Sequence, residues 1–159
     1  MTTSTDREIK ELMNSGSQIN TELELYEQDY YQWIVETVQQ LRQRRFDSVD
    51  WDNLIEEVDS LGRSEKKELK RRLQVLLMHL LKKKYQPSRS SRSWDNTIRT
   101  QRDELYWLLQ DSPSLKRLLP EVLPECYQRA VKSAVEETRL PWETFPEYCP
   151  FSVTEILDF

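Results

Sequence analysis

The sequence predicts an all-α protein: a single-domain bundle of four to five helices with an extended C-terminal tail rich in proline and aromatic residues. Three observations predict this class. Only two glycines, Gly16 and Gly62, occur in 159 residues, which leaves few places for the tight hairpins of an all-β fold. Apolar residues recur at helical intervals over most of the chain. Five Trp, seven Tyr and four Phe argue against disorder.

Residues 1–24 are polar and are predicted to form a flexible N-terminal arm. They contain no apolar segment typical of a secretory signal, and no stretch of the chain reaches the roughly 18 apolar residues of a membrane span. Cys126 and Cys149 are isolated thiols, which in a reducing compartment are usually buried small apolar residues. We therefore expect a cytoplasmic, soluble protein that does not bind a membrane.

The first two helices are predicted at about 27–45 and 50–61. Aromatic and aliphatic residues at helical spacing mark the first. Asp50 is a good N-cap for the second, and Gly62 is a natural stop after its last turn. The apolar stripe of the second helix consists of Leu54, Val58 and Leu61.

The pattern is strongest in the next helix, predicted at about 65–85. Its leucines form one continuous stripe, and further apolar residues extend round its C-terminal half. A helix that is apolar on several sides is usually central in a bundle. Pro87 ends it. The stripe consists of Leu69, Leu73, Leu76, Leu77 and Leu80.

The remaining elements follow at shorter intervals. A helix is predicted at about 94–109, a short one at 115–119 and a last long one at 121–138. The tail is too apolar to be a free linker, so we expect it to lie extended over the bundle, followed by a terminal turn at 152–157.

Charge is divided into two opposite blocks. Residues 63–102 carry thirteen Lys or Arg and three Asp or Glu, a balance of +10, and the other 119 residues carry ten basic and twenty-five acidic side chains, a balance of −15. A basic block on an acidic chain either faces a polyanion or is neutralised by the chain's own acids. The two glycines are too far apart to form a Gly-rich phosphate loop, which excludes a P-loop and a Rossmann fingerprint.

One way to neutralise the block is a helical hairpin about Gly62. The hairpin would leave His79 roughly 18 Å from Glu57 at about 1.5 Å per residue. A site that uses both residues therefore requires that the helices not form a simple hairpin, and a continuous helix would separate them further. The facing pairs of the hairpin would be Glu57 with Lys67, Asn53 with Arg71 and Asp50 with Gln74.

His79 is the single histidine and the first candidate for chemistry. As a general base it needs a carboxylate or hydroxyl partner, and as a metal ligand it needs two or three further ligands. The pattern favours a partly buried histidine bonded to a backbone or side-chain group. Asp50, Asn53 and Glu57 share one helix face and offer oxygen ligands for Mg²⁺ or Mn²⁺, although such spacing is also common on solvated helices.

A basic-aromatic segment at 82–94 is the third candidate. Cations interleaved with aromatic rings suit single-stranded nucleic acid, which offers phosphates and base faces together. The alternative is a solvated helix end, where lysines complement the helix dipole. The candidate binding residues are Lys82, Lys84, Arg89, Arg92 and Trp94.

Several stretches of the sequence, and the order in which they occur, resemble the motifs of a bacterial family known as domain of unknown function 29, which is abundant in cyanobacteria. The resemblance covers residues 25–150 and implies an all-helical domain without an assigned activity. Many positions that match the family's pattern are polar, which motivates a site hypothesis. The stretches are YEQDYYQWIVETVQQLR (26–42), FDSVDWDNLIEEVDSLGRSEKKEL (46–69), RLQVLLMHLLKKKYQP (72–87), RSWDNTIRTQRDEL (92–105) and DSPSLKRLLPEVLPECYQRAVKSAVEET (111–138).

The leading functional hypothesis is a binding or interaction module that contacts nucleic acid or another protein through 82–94 and needs no cofactor. The first alternative is a metal-dependent enzyme of nucleic-acid or phosphoester chemistry, with His79, Glu57 and Lys82 as catalytic candidates and a divalent cation on the acidic face. The second is a homo-oligomeric structural protein that hides the aromatic tail 142–151 in an interface.

Overall fold

The computed structural model describes residues 25–159, so the arm predicted for 1–24 lies outside the described residues. The all-α class is confirmed, because residues 25–159 contain no β-strand. The chain divides into two compact units, one that ends at Leu61 and one that comprises Gly62–Phe159. The expectation of a single domain stays a prediction.

The first unit contains a helical turn at 25–28, helix α1 (Tyr30–Arg42), a 3₁₀ turn (Phe46–Ser48) and the first part of helix α2 (Trp51–Tyr85). Helix α1 is shorter at both ends than the predicted 27–45. The Asp29 carboxylate accepts a hydrogen bond from the amide of Gln32 and caps the start, whereas Arg44 adopts a left-handed conformation with φ of 57° just after the end.

The two helices of the first unit run antiparallel. Trp33 bonds to Asp50, and Tyr26 and Tyr30 bond to Glu57. As the residue number rises from Tyr26 to Trp33 in the first segment, the number of the bonded partner falls from Glu57 to Asp50. Opposite directions of this kind are the signature of an antiparallel pair.

Helix α2 is a single helix of 35 residues, so the predicted stop at Gly62 and the hairpin about it are wrong. Gly62 does not adopt the positive φ of a C′ glycine. A glycine inside a helix costs only about 1 kcal/mol relative to alanine. The surrounding run of Leu, Arg, Glu and Lys residues, all strong helix formers, offsets that cost.

The second unit is built on the rest of α2, with helix α3 (Arg92–Asp111), a 3₁₀ segment (Pro113–Leu118), helix α4 (Leu119–Thr138) and a short helix α5 (Val153–Leu157). Paired residues of α2 and α3 have numbers that sum to 173, 176 and 178, which indicates an antiparallel pair: Arg72 with Gln101, Arg72 with Glu104 and Lys83 with Asp95. Paired residues of α2 and α4 differ by 55, which indicates a parallel pair: Lys66 with Glu121, Lys70 with Glu125 and Lys82 with Glu137.

Leucines of α2 form the centre of the second unit's core, as the sequence predicts. Leu69, Leu73, Leu76 and Leu77 are fully buried, and Leu80 is partly buried. They pack with buried side chains of α3 and α4 in one cluster. Leu115, predicted to begin a short helix, is buried in the 3₁₀ segment that replaces that helix.

The tail packs on its own unit, but it is not extended throughout as predicted, because Trp142–Thr144 form a 3₁₀ turn. The Tyr127 hydroxyl donates to the carbonyl of Pro146 at 2.6 Å, and Phe145 is buried with its ring centroid 5.4 Å from that of Tyr85. The terminal turn forms α5, which begins with a reciprocal capping box between Ser152 and Glu155.

Candidate functional site

Two tyrosines hold the Glu57 carboxylate in the first unit. The Tyr26 hydroxyl donates to one carboxylate oxygen at 2.5 Å, and the Tyr30 hydroxyl donates to the other at 2.8 Å. These hydrogen bonds hold the pKa of Glu57 below its ordinary value and raise the pKa of Tyr26 to about 12. At neutral pH Glu57 is therefore an ionised acceptor with both oxygens engaged, which does not suit a general acid.

The Asp50 carboxylate is also occupied by protein donors. One oxygen accepts the backbone amide of Asn53 at 3.3 Å as a helix N-cap, as the sequence predicts. The other accepts the Asn53 side-chain amide at 2.7 Å and the Trp33 indole N–H at 3.2 Å. Two of the metal candidates, Asp50 and Glu57, thus accept hydrogen bonds from protein groups, and the third, Asn53, is one of the donors. Residues 25–159 contain no group of three or more His, Cys, Asp or Glu that could hold a metal ion.

His79 is half-buried on α2, and its Nδ1 donates to the carbonyl of Val75 at 2.9 Å. This backbone partner is the kind that the sequence favours for an isolated histidine. Glu57 belongs to the first unit and His79 to the second. Helix α2 is continuous, the case for which the sequence predicts a separation larger than the roughly 18 Å of the hairpin, so a catalytic site that uses both residues is not supported.

Nucleic-acid binding through 82–94 would need Lys82 at the surface together with Lys84, Arg89 and Arg92, and Lys82 does not meet this condition. The residue is only 6 % exposed. Its ammonium forms an ion pair with Glu137 of α4 and lies 4.5 Å from the centroid of the Trp94 ring of α3. Nearby, the Gln86 side chain donates to the carbonyl of Thr138 at 3.3 Å and satisfies a terminal carbonyl of α4. Lys82 and Trp94 therefore hold three helices together at one end of the second unit.

Other cations of the segment remain at the surface. The Lys84 ammonium lies 5.2 Å from the centroid of the Phe151 ring, and Lys83 pairs with Asp95 at 2.6 Å. Arg89 and Arg92 are exposed. The hypothesis of a nucleic-acid surface stays a prediction, and it rests on Lys84, Arg89 and Arg92.

Much of the basic block is neutralised from within the second unit. At least seven of its thirteen cations form ion pairs, but their partners do not come from the acidic run at 47–59, as the hairpin predicted. Three of the partners are glutamates of α4, and the others lie in α2, α3 and the C-terminal segment. The paired cations are Lys66, Lys70, Arg71, Arg72, Lys82, Lys83 and Arg102.

The first unit exposes an unusual share of its apolar side chains. Nine large hydrophobic residues of 25–61 are exposed, whereas two hydrophobic residues of this range, Trp33 and Val49, are buried. In the second unit nineteen are buried and six large ones exposed. The predicted inward stripe Leu54–Val58–Leu61 is wrong in part, because Val58 and Leu61 are 60 % and 68 % exposed.

Six of these exposed residues form two stripes, each at spacings of four and three residues along its helix. Successive residues of a helix are separated by about 100° around its axis. By this measure, the stripe on each helix lies roughly 130° around the axis from the residues that bond to the other helix. The direction of this rotation is the same on both helices. Because the helices are antiparallel, rotations in the same sense bring both stripes to one side of the pair. We call this surface the apolar face: Tyr31, Val35 and Val38 of α1 with Trp51, Ile55 and Val58 of α2, between 38 % and 75 % exposed.

Sequence reasoning missed this face because it assigned one apolar stripe to each helix. The signal is present in the sequence: α1 carries Tyr30, Trp33 and Thr37 as one stripe and Tyr31, Val35 and Val38 as a second. Two stripes on one helix indicate two packing partners.

The chain belongs to the family described as Domain of unknown function DUF29, whose match covers residues 25–159. The resemblance inferred from the ordered stretches is thereby confirmed. Comparison with curated proteins and with solved structures found no match. Among the described residues, none of the helices has the length and apolar character needed to cross a membrane.

Proposed function

We propose that this protein is an interaction module that self-associates through the apolar face. In the proposed dimer, the apolar face of one copy packs against the apolar face of the second copy. The observation that supports the proposal is the inverted burial of the first unit, in which exposed large hydrophobic residues outnumber buried ones. Soluble monomers rarely expose large contiguous apolar patches, and such patches mark interaction sites.

The size of the face suits a stable dimer. The six residues are between 38 % and 75 % exposed, and an aromatic side chain presents about 150 to 250 Å², so the face offers at most roughly 700 Å² per chain. Two copies could then bury up to roughly 1,400 Å² through these residues, within the range of about 1,200 to 2,000 Å² for specific interfaces. Area alone does not give the affinity, but it permits a specific contact.

The geometry also favours a second copy. A twofold axis makes a single patch meet itself, so that one sequence provides both sides of the contact. Two antiparallel helix pairs that pack face to face form a four-helix arrangement, in which each helix needs a second apolar stripe for its second neighbour. Both helices of the first unit have such a stripe.

The charge of the first unit distinguishes a second copy of the chain from a basic partner protein. Residues 25–61 carry nine Asp or Glu and three Arg, a balance of −6. Two copies repel each other electrostatically, so added salt should screen the repulsion and strengthen the dimer. A basic partner protein would instead be attracted to the unit, and its binding would weaken in salt.

Sedimentation equilibrium of the full chain tests the proposal. The wild type should have twice the chain mass of 19.2 kDa. The double variant Ile55→Gln/Val58→Gln, which replaces two exposed residues of the face with polar helix formers, should sediment as a monomer. A matched control, Trp142→Gln/Tyr148→Gln, removes exposed aromatic side chains from the tail and should remain dimeric.

Three outcomes would overturn the proposal. A monomeric wild type would leave the face to a different protein. A face variant that remains dimeric would place the contact elsewhere. A tail variant that becomes monomeric, beside a dimeric face variant, would support the interface through 142–151 instead.

A further inference from the structure

We propose that a cavity between α2 and α4 binds a small phosphorylated molecule. The cavity has a volume of about 320 Å³ and lies in the second unit. Lys67, Lys70 and Arg71 of α2 and Arg129 of α4 line it, with one carboxylate, that of Glu125. The lining therefore has a balance of +3, which favours a multiply charged anion.

Contacts with glutamates hold three of these cations, Lys70, Arg71 and Arg129, in place. The Glu125 carboxylate accepts Lys70 at 2.6 Å on one oxygen and Arg129 at 3.3 Å on the other. Hydrogen bonding to Lys70, supported by its charge and that of Arg129, lowers the pKa of Glu125, so this carboxylate remains an ionised anchor. Arg71 is fixed by two-nitrogen contacts with Glu68. Cations that are already oriented lose less conformational freedom when an anion binds.

A second cavity of this unit shows that a net cationic lining is not general among its cavities. That cavity, of about 470 Å³, is lined by three cations and by three aspartates, Asp95, Asp103 and Asp158. Two of its cations, Lys83 and Arg102, form ion pairs with Asp95 and Asp158. Cations are ion-paired in both cavities, and the two linings differ in their number of carboxylates, three in this cavity and one in the cavity between α2 and α4, which leaves a net positive charge only in the latter.

A phosphate group matches the donors better than a single carboxylate does. It carries up to two negative charges and three terminal oxygens, and arginine and lysine are the side chains that bind it most often in proteins. The volume lies at the lower end of the roughly 300 to 1,000 Å³ that small-molecule sites occupy. It suits a phosphorylated metabolite, whereas a nucleic-acid strand requires a long cationic groove.

Cys126 lines the cavity without being a reactive group. The residue is 1 % exposed, and its thiol donates to the carbonyl of Lys70 at 3.6 Å. Burial raises the pKa of this thiol, so it remains neutral and acts as an apolar floor. The cavity is thus suited to binding rather than to covalent chemistry.

Calorimetric titration of the full chain with inorganic pyrophosphate, with adenosine monophosphate and with a single-stranded oligonucleotide tests the site. We expect both small phosphates to bind. The variant Lys67→Gln/Arg129→Gln should weaken this binding by at least about tenfold, the effect of losing one charge-assisted contact or more. The matched control Lys84→Gln/Arg89→Gln, with the same change in net charge at exposed positions outside the cavity, should stay within about twofold.

The proposal is overturned if neither small phosphate binds the wild type, or if both variants lose affinity equally, which would mean attraction by net charge alone. Binding of the oligonucleotide alone, lost in the control variant, would assign the anion surface to 82–94 instead. Circular dichroism of each variant verifies that it is folded. The result is independent of the apolar face, because Ile55→Gln/Val58→Gln leaves the cavity residues intact.

Discussion

Removal of Glu137 should destabilise the protein more than removal of Lys82, although the two residues form one ion pair. The side chain of Lys82 is 7 % exposed and that of Glu137 is 48 % exposed. Glu137→Gln leaves a buried ammonium with the Trp94 ring as its remaining described contact. Loss of one partner of a buried pair costs about 3 to 5 kcal/mol, and water access at the half-exposed end reduces the expected cost to about 2 kcal/mol.

Lys82→Met removes the charge but keeps the apolar stem of the side chain. The carboxylate of Glu137 then faces water, so we expect a cost of at most about 1 kcal/mol. The double variant should resemble Lys82→Met, because no buried charge is left unpaired.

Urea denaturation of the three variants measures these differences, and thermal melting should show a midpoint lowered by about 4 to 8 °C for Glu137→Gln. A larger loss for Lys82→Met than for Glu137→Gln would refute the reasoning, since it would mean that Lys82 stabilises the fold through its contacts rather than depending on Glu137 for neutralisation. Equal losses would refute the asymmetry as well.

Two substitutions in α2 give three further predictions. Gly62→Ala should stabilise the protein by about 0.5 to 1 kcal/mol, because Gly62 has helical backbone and a Cβ there would meet no atom within 4 Å; a lower melting temperature would contradict this. The pKa of Glu57 is lower in the folded chain than its ordinary value of 4.5. This difference stabilises the fold above pH 4.5, and the stabilisation is lost as pH falls through the lower folded pKa. Glu57→Gln removes this group, so the free energy of unfolding should fall less steeply on the acid side. The raised pKa of Tyr26 gives a contribution present below pH 10 and lost as pH rises towards about 12; Glu57→Gln should shift that ionisation back towards 10 in an ultraviolet titration, and an unchanged titration would exclude the hydrogen bond as its cause.

Periodicity in the sequence predicted the helices of the second unit well, because their apolar residues satisfy one core. Leu69, Leu73, Leu76 and Leu77 recur on one side of α2 and are buried there. Asp50 was identified as a cap for the same local reason, since a cap depends on residues within one turn. Local signals of this kind do not depend on the rest of the fold.

The errors have a common physical origin in competition between local signals and tertiary context. The sequence predicts a stop at Gly62, but the cost of a glycine inside a helix is small beside the helix propensity of its neighbours. A lysine such as Lys82 is expected at the surface because of its charge, yet Glu137, 55 residues away, pairs with its buried ammonium. Partners so distant in sequence leave no periodic signal, so the ion pairs between α2 and α4 could not be predicted.

The most direct test of the proposed self-association is the dimer dissociation constant of the wild-type chain, measured by sedimentation equilibrium between about 50 mM and about 500 mM NaCl. We predict a dimer of twice 19.2 kDa whose dissociation constant falls or stays constant as salt increases, because apolar burial drives the contact between two acidic units. A monomer at every concentration, or a dimer that dissociates as salt increases, would contradict it.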